Sequence, residues 1–85
     1  MTWNGESARR FGATLRRMRQ EHGLSQEALA FQAGVTKNQV QLIESGRSSG
    51  RKDADGPSNP KISTLVGFAT ALGVRASSLL DEAGL

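Results

Sequence analysis

Apolar residues recur at intervals of three or four over most of the 85-residue chain, and this spacing predicts a succession of short amphipathic helices. The first predicted helix runs from about Glu6 to His22, and Gly23 supplies its left-handed C-terminal cap. Its apolar face comprises Ala8, Phe11, Leu15, Met18 and His22. Asn4 or Ser7 is the candidate N-cap, and we expect Trp3, just before them, to pack against the helices or a partner subunit rather than stack on a base.

Two short helices with clear start signals lie at residues 25–45. Ser25 can cap the first of them, and Gly34 stops it. Thr36 can cap the second, where Gln39 completes a T-x-x-Q capping box. Because the break between the helices is so short, they must cross at a steep angle, which is the geometry of a DNA-binding helix-turn-helix.

The second of these helices is predicted to turn a polar face outward. Val40 and Ile43 fall on one side and define its buried stripe. The other side carries Asn38, Gln41, Leu42 and Ser45, with Lys37 at the first helical position. Amides can donate and accept together, as an adenine edge requires, whereas lysine suits guanine and an apolar side chain suits the thymine methyl. The alternative for any one of these residues alone is an ordinary solvated side chain.

The chain after this helix has no apolar periodicity and predicts an inserted loop at about residues 47–60. Its acidic run, Asp53 to Gly56, does not make a calcium loop, because Arg51 and Ile62 stand where carboxylates are needed. We therefore expect a solvated turn. The basic residues that could contact phosphates here are Arg47, Arg51, Lys52 and Lys61.

Two further helices are predicted beyond the loop. One begins near Ser63 and ends at Gly73, and a short last helix runs to about Glu82. The apolar face of the fourth helix comprises Ile62, Leu65, Val66, Ala69 and Leu72. With no strand pattern and no internal repeat, the sequence predicts an all-α fold of five helices in a single domain over residues 1–85.

Composition and charge narrow the class of protein. The net charge is +3 with pI near 10.2, and residues 1–23 carry five arginines against two glutamates, which favours a polyanionic partner. The absence of cysteine, the single histidine and the lack of a glycine-rich phosphate loop predict no zinc site, no cofactor and no enzyme. No apolar run is long enough for a signal peptide or a membrane span, so we expect a cytoplasmic protein with no membrane contact.

Several spaced motifs together resemble the XRE family, the phage repressor and Cro type of helix-turn-helix. In order, they are Arg19, then HGLSQEALA, AGVT, IESGR, NP and LGVRASSLL. The likeness runs from about Phe11 to Leu80 and implies a five-helix, lambda-repressor-like domain whose third helix enters the major groove of DNA. One departure is that residues 47–58 separate the Glu-x-Gly turn from Asn-Pro, next to the DNA-facing side and to the surface that such proteins often use to dimerise.

The resemblance also implies roles for individual residues. Lys37, Asn38, Gln41 and Leu42 match positions that reach base edges or their surroundings. Gln26 corresponds to a glutamine that grips a phosphate. Further phosphate contacts are expected from Ser25, Thr36, Ser45, Arg47, Arg51 and Lys52. Arg19 and Glu44 match a pair that forms a salt bridge, and the position of Arg19 beside an apolar stripe independently calls for an acidic partner.

Two functions remain open at this stage. The leading hypothesis is a sequence-specific regulator of transcription that binds double-stranded DNA, a bacterial or phage repressor acting as a homodimer on a palindromic operator within the nucleoid. The alternative is a protein-interaction module, such as the antitoxin of a toxin-antitoxin pair. Its contact face with a protein partner would comprise Leu79, Leu80 and Leu85.

Overall fold

The computed structural model describes residues 2–48 and 56–85, and these two ranges contain five α-helices and no β-strand. The helices are α1 (Gly5–Glu21), α2 (Gln26–Ala33), α3 (Lys37–Glu44), α4 (Ile62–Ala71) and α5 (Ala76–Glu82). The predicted all-α architecture of five helices is confirmed. Arg51 and Lys52, two of the predicted phosphate contacts, lie outside the described residues.

Side-chain caps fix where the first three helices begin. Asn4 caps α1 and forms a capping box with Ser7, which decides between the two predicted candidates. Ser25 caps α2 by accepting a backbone N–H at 3.0 Å. Thr36 Oγ1 accepts from the Gln39 N–H at 3.1 Å, and Gln39 Oε1 accepts from the Thr36 N–H at 2.9 Å. Both helices of the helix-turn-helix therefore start where their local sequence predicts.

All five helices contribute large apolar side chains to one core. Its largest fully buried members are Phe11, Phe68, Leu15, Leu29, Leu72, Leu79 and Val40. Two glycines let helices approach closely. A Cβ at Gly12 of α1 would overlap the backbone carbonyl oxygens of Ile43 and Glu44, and one at Gly67 of α4 would overlap that of Ala33. The backbone of α3 therefore lies directly against α1, which fixes the position of its exposed face.

The predicted apolar face of α4 is wrong at two positions. Ile62 and Val66 are exposed, and the buried face instead includes Phe68, which the pattern had not identified. Leu65, Phe68, Ala69 and Leu72 form the inward stripe, with Leu65 at its partly buried edge. Ile62 follows the same spacing, but it stands at the first position of the helix, where the core has ended.

Two other side chains lie differently from the sequence pattern. His22, on the predicted apolar face of α1, is exposed and caps the C-terminus of that helix, with Nδ1 2.8 Å from the Met18 carbonyl oxygen. Leu79 is fully buried in the core, so it is not available for a protein-contact face. Leu80 and Leu85 are only partly exposed beside it.

Hydrogen bonds hold the described ends of the inserted loop against the rest of the fold. The Ser58 N–H donates to the Gly46 carbonyl at 3.1 Å, and Arg47 and Pro57 form an isolated antiparallel bridge. The Trp3 indole donates to the Ser58 carbonyl at 2.7 Å, and its ring packs edge-on against Phe11. The prediction that Trp3 packs against the helices is confirmed, and this packing holds the chain in place where it returns to α4.

No single helix of the described ranges is long and apolar enough to cross a membrane. Only α4 and α5 taken together reach the necessary length and apolarity, and they meet at a bend of 90°.

Candidate nucleic-acid interface

The turn between α2 and α3 is built from three residues. Gly34 takes the left-handed conformation at the end of α2, with φ of 75°, which glycine adopts without steric cost. The Val35 N–H donates to the Ala30 carbonyl at 3.0 Å, and Thr36 then caps α3. The turn therefore redirects the chain within three residues and leaves one side of α3 facing away from the core.

That outward side of α3 carries the predicted polar residues. Lys37, Asn38 and Gln41 are exposed, while Val40 and Ile43 are buried on the opposite side. Among the described residues, no side chain forms a hydrogen bond with the amide of Asn38 or of Gln41. Both amides can therefore donate to and accept from a ligand, as the edge of an adenine requires.

Leu42 and Ser45 differ from their three neighbours. Leu42 is half-buried and faces a groove of about 440 Å³ between α3 and the start of α4. Ser45 is exposed at the C-cap of α3, where its hydroxyl donates to the Leu42 carbonyl at 2.9 Å. Arg47 lies on the rim of the same groove. The structure thus brings Leu42 and Arg47 together at one flank of the helix-turn-helix.

A second cavity, of about 520 Å³, lies at the opposite flank, beside the start of α2. It is lined by Arg16, Arg19, Ser25, Gln26, Glu27 and Lys37. Thr36 is exposed next to Lys37, and its hydroxyl serves the capping box. Backbone N–H groups at a helix N-terminus attract anions, and the two exposed basic side chains, Arg16 and Lys37, add to that potential. This cavity is a candidate place for a phosphate, although the carboxylate of Glu27 in its lining opposes part of that attraction.

Sequence reasoning did not identify Arg16 as a site residue. It belongs to the arginine-rich face of α1, where nothing in the sequence distinguishes it from Arg9, Arg10 or Arg17. The packing of α1 against α3 brings Arg16 into the cavity, whereas Arg10 and Arg17 form ion pairs with glutamates. The one local signal is its position three residues before Arg19, on the same side of the helix.

A buried polar network lies behind the cavity. Arg19 Nε is 2.7 Å from Glu44 Oε2, and Arg19 Nη2 is 3.1 Å from Oε1. Arg19 Nη1 also donates to the Leu24 carbonyl at 2.8 Å, and Gln26 Nε2 donates to Glu44 Oε1 at 3.1 Å. The side chains of Arg19 and Glu44 are only 10% and 4% exposed. The network joins the end of α1, the start of α2 and the end of α3.

The network sets the orientation of Gln26, the residue expected to grip a phosphate. One amide hydrogen of Gln26 goes to Glu44, and since a primary amide carries two, a second remains for another acceptor. Arg19 is already engaged by Glu44 and Leu24, so its part in the site is to hold other residues in place. Within the described ranges there is no cluster of three or more His, Cys, Asp or Glu residues that could hold a metal ion.

Comparisons with known proteins agree with this geometry. A family model described as a helix-turn-helix domain matches residues 10–83. The restriction-modification controller protein C.AhdI from Aeromonas hydrophila is 33% identical, with a TM-score of 0.70, and the match covers 85% of this chain and 94% of that one. SinR, the master regulator for biofilm formation, solved in complex with DNA, is 31% identical with a TM-score of 0.64, over 84% and 98% of the two chains.

A third solved structure shows the same fold. The clp gene regulator ClgR from Corynebacterium glutamicum is 24% identical with a TM-score of 0.76, and the match covers 92% of this chain and 72% of that one. No curated protein sequence matches the chain significantly.

Proposed function

Because this chain belongs to the helix-turn-helix domain family of DNA-binding transcriptional regulators, we propose that it binds a palindromic operator as a homodimer and represses transcription by occupying promoter DNA. The observation that carries the proposal is the exposed amide face of α3, where Asn38 and Gln41 have no hydrogen-bond partner among the described side chains. The proposed activity is DNA binding alone, in the cytoplasm, with no catalysis and no cofactor.

Base reading falls to three side chains of α3. Asn38 and Gln41 suit an adenine, and Lys37 suits a guanine, each through the major-groove edge of the base. One good bidentate contact contributes about 1 to 3 kcal/mol of discrimination against the wrong base. Leu42 is half-buried at the flank of the same helix, so it reaches only the margin of the DNA major groove. There its apolar side chain would contact a thymine methyl group.

Phosphate contacts set the register of the protein on the duplex. The free amide hydrogen of Gln26, the side chains of Arg16 and Lys37, and the backbone N–H groups at the starts of α2 and α3 converge on one strand. On the other flank of the helix-turn-helix, Arg47 contacts a phosphate of the second DNA strand. These contacts carry no sequence information directly, so their loss weakens binding to all duplexes alike.

The test is fluorescence anisotropy with a labelled operator, selected from random duplexes, at two salt concentrations. Binding should weaken steeply with added salt, because phosphate contacts release counterions, and should favour the selected duplex over random sequence. Asn38→Ala should relax the preference at one base pair, whereas Arg47→Ala should weaken all duplexes equally. Gln32→Ala is the matched control, since Gln32 is an exposed amide of α2 outside both cavities. Affinity that ignores both salt and sequence would refute the proposal.

A further inference from the structure

We infer that Trp3, a residue ahead of α1, is a positioning residue for DNA binding, because it holds Arg47 where that arginine can meet a phosphate. The connection runs through Ser58, whose backbone is hydrogen-bonded both to Trp3 and to Gly46, the residue before Arg47. The inference rests on the proposed function, in which Arg47 contacts a phosphate of the second DNA strand.

Ser58 is the residue at which distant parts of the chain are tied together. Its carbonyl oxygen accepts from the Trp3 indole N–H at 2.7 Å, and its own N–H donates to the Gly46 carbonyl oxygen at 3.1 Å. Ser58 is buried, although its hydroxyl has no hydrogen-bond partner among the described residues. The backbone of Ser58, and not its side chain, therefore makes the polar contacts that hold the chain returning from the loop.

The same junction fixes the backbone of Arg47. The Arg47 N–H donates to the Leu42 carbonyl oxygen at 2.9 Å, and Arg47 pairs with Pro57, the residue before Ser58, in the isolated antiparallel bridge. The side chain of Arg47 is exposed on the rim of the groove between α3 and α4, which Lys61 also lines. A displacement of Ser58 would therefore move Arg47 relative to the end of α3.

The start of α1 does not depend on Trp3. Asn4 caps that helix by accepting the Ser7 N–H at 3.0 Å, without a contribution from the indole. The indole ring packs edge-on against Phe11, with the ring centroids 6.2 Å apart, while its N–H donates to Ser58. A phenylalanine in place of Trp3 keeps an aromatic ring beside Phe11 but has no N–H to donate.

Holding Arg47 in place affects affinity because a flexible arginine side chain loses conformational freedom when it binds. A backbone that is already fixed beside α3 reduces that loss. Without the Trp3 hydrogen bond, the chain at Ser58 can take positions from which Arg47 does not reach the phosphate. We expect an affinity loss of about two- to tenfold, the range that one hydrogen bond supports, and the same loss for every sequence, because phosphates carry no base information.

The test is a double-variant cycle of W3F and R47A, measured by fluorescence anisotropy on the labelled operator and on a random duplex. W3F alone should weaken both duplexes by the same factor and leave the preference for the operator unchanged. R47A should weaken the wild type more than it weakens W3F, because Arg47 is already misplaced in W3F. If Trp3 acted only on the stability of the fold, the two effects would be independent and would multiply.

Two controls separate this role from a general loss of stability. V74A shortens a half-buried side chain that packs against the core in the turn between α4 and α5, so it lowers stability without touching Ser58. S58A removes only the unpartnered hydroxyl and keeps both backbone hydrogen bonds. Both controls should bind the two duplexes as the wild type does, at a temperature well below every melting transition.

Equal affinity of W3F and the wild type for both duplexes would overturn the inference, as would effects of W3F and R47A that simply multiply. A loss in either control as large as that in W3F would also overturn it, because the loss would then follow general stability or the Ser58 hydroxyl. R47A that binds as the wild type does would refute the proposed phosphate contact, and the inference with it. Wild-type protein that binds neither duplex would refute the proposed function itself, which separates that failure from a failure of the inference alone.

Discussion

Replacing Glu44 by glutamine should be one of the most destabilising single changes in this protein. Glutamine keeps the shape of the side chain but removes the charge that faces Arg19, whose guanidinium is buried and accepts no hydrogen bonds. Removing one partner of a buried ion pair typically costs about 3 to 5 kcal/mol, because the other charge stays buried without compensation. Native chains of 85 residues are stable by roughly 4 to 13 kcal/mol, so the variant should lie close to unfolding.

The measurement is urea unfolding followed by circular dichroism and by the fluorescence of Trp3. Glu82→Gln is the matched control, since Glu82 also pairs with an arginine of α1, at 2.8 Å, but on the surface. Its hydrogen bond, followed by that of Glu21, raises the pKa of Arg17, an interaction that solvent screens. We expect little change from this control. Equal, small losses in both variants would refute the reasoning, because burial would then contribute nothing to the Arg19–Glu44 pair.

Three further changes test other parts of the fold. Gly12→Ala should lower the free energy of unfolding by about 1 to 3 kcal/mol, because the new methyl group overlaps the Ile43 carbonyl oxygen and pushes α1 away from α3. An unchanged melting temperature would show that the two helices can separate without cost. Thr36→Ala should lower the free energy of unfolding by about 1 kcal/mol, measured by chemical denaturation, because α3 loses its N-cap. Equal stability of the variant and the wild type would contradict the capping box. Trp3→Phe should cost about 0.5 to 1.5 kcal/mol by removing the hydrogen bond to Ser58, measured in thermal melts, and a melting temperature equal to that of the wild type would show that this hydrogen bond contributes nothing.

The helix starts were readable from the sequence because their chemistry is local. A cap needs only a short polar side chain and a backbone N–H two or three residues later, so Ser25 and Thr36 could be identified without knowing what the helices pack against. The inward face of α4 could not be identified in this way. Whether Ile62 or Phe68 is buried depends on where the core ends, and that boundary is set by α2 and α5, the helices that pack against α4.

The same distinction applies to the site. The outward face of α3 follows from its helical period once Val40 and Ile43 are recognised as the buried stripe. The position of Arg16 beside Gln26 does not, because it depends on how α1 packs against α3. The hydrogen bond from Gln26 to Glu44 was also beyond the sequence, since it joins residues 18 positions apart.

The residues of α3 that support the fold differ from those proposed to read bases, and this division has a consequence for how the protein can change. Glu44 and Gln39 hold the helix in place through buried or capping hydrogen bonds, so substitutions there cost folding free energy. Asn38 and Gln41 are exposed and bind no described side chain, and substitutions at such positions usually change stability by less than about 0.5 kcal/mol. We therefore expect that the proposed base preference of the helix can be altered while Glu44 keeps the position of α3 relative to Gln26. A new operator preference obtained by changing Asn38 and Gln41 together should leave the unfolding midpoint in urea nearly unchanged, and a large loss of stability would show that these amides also support the fold.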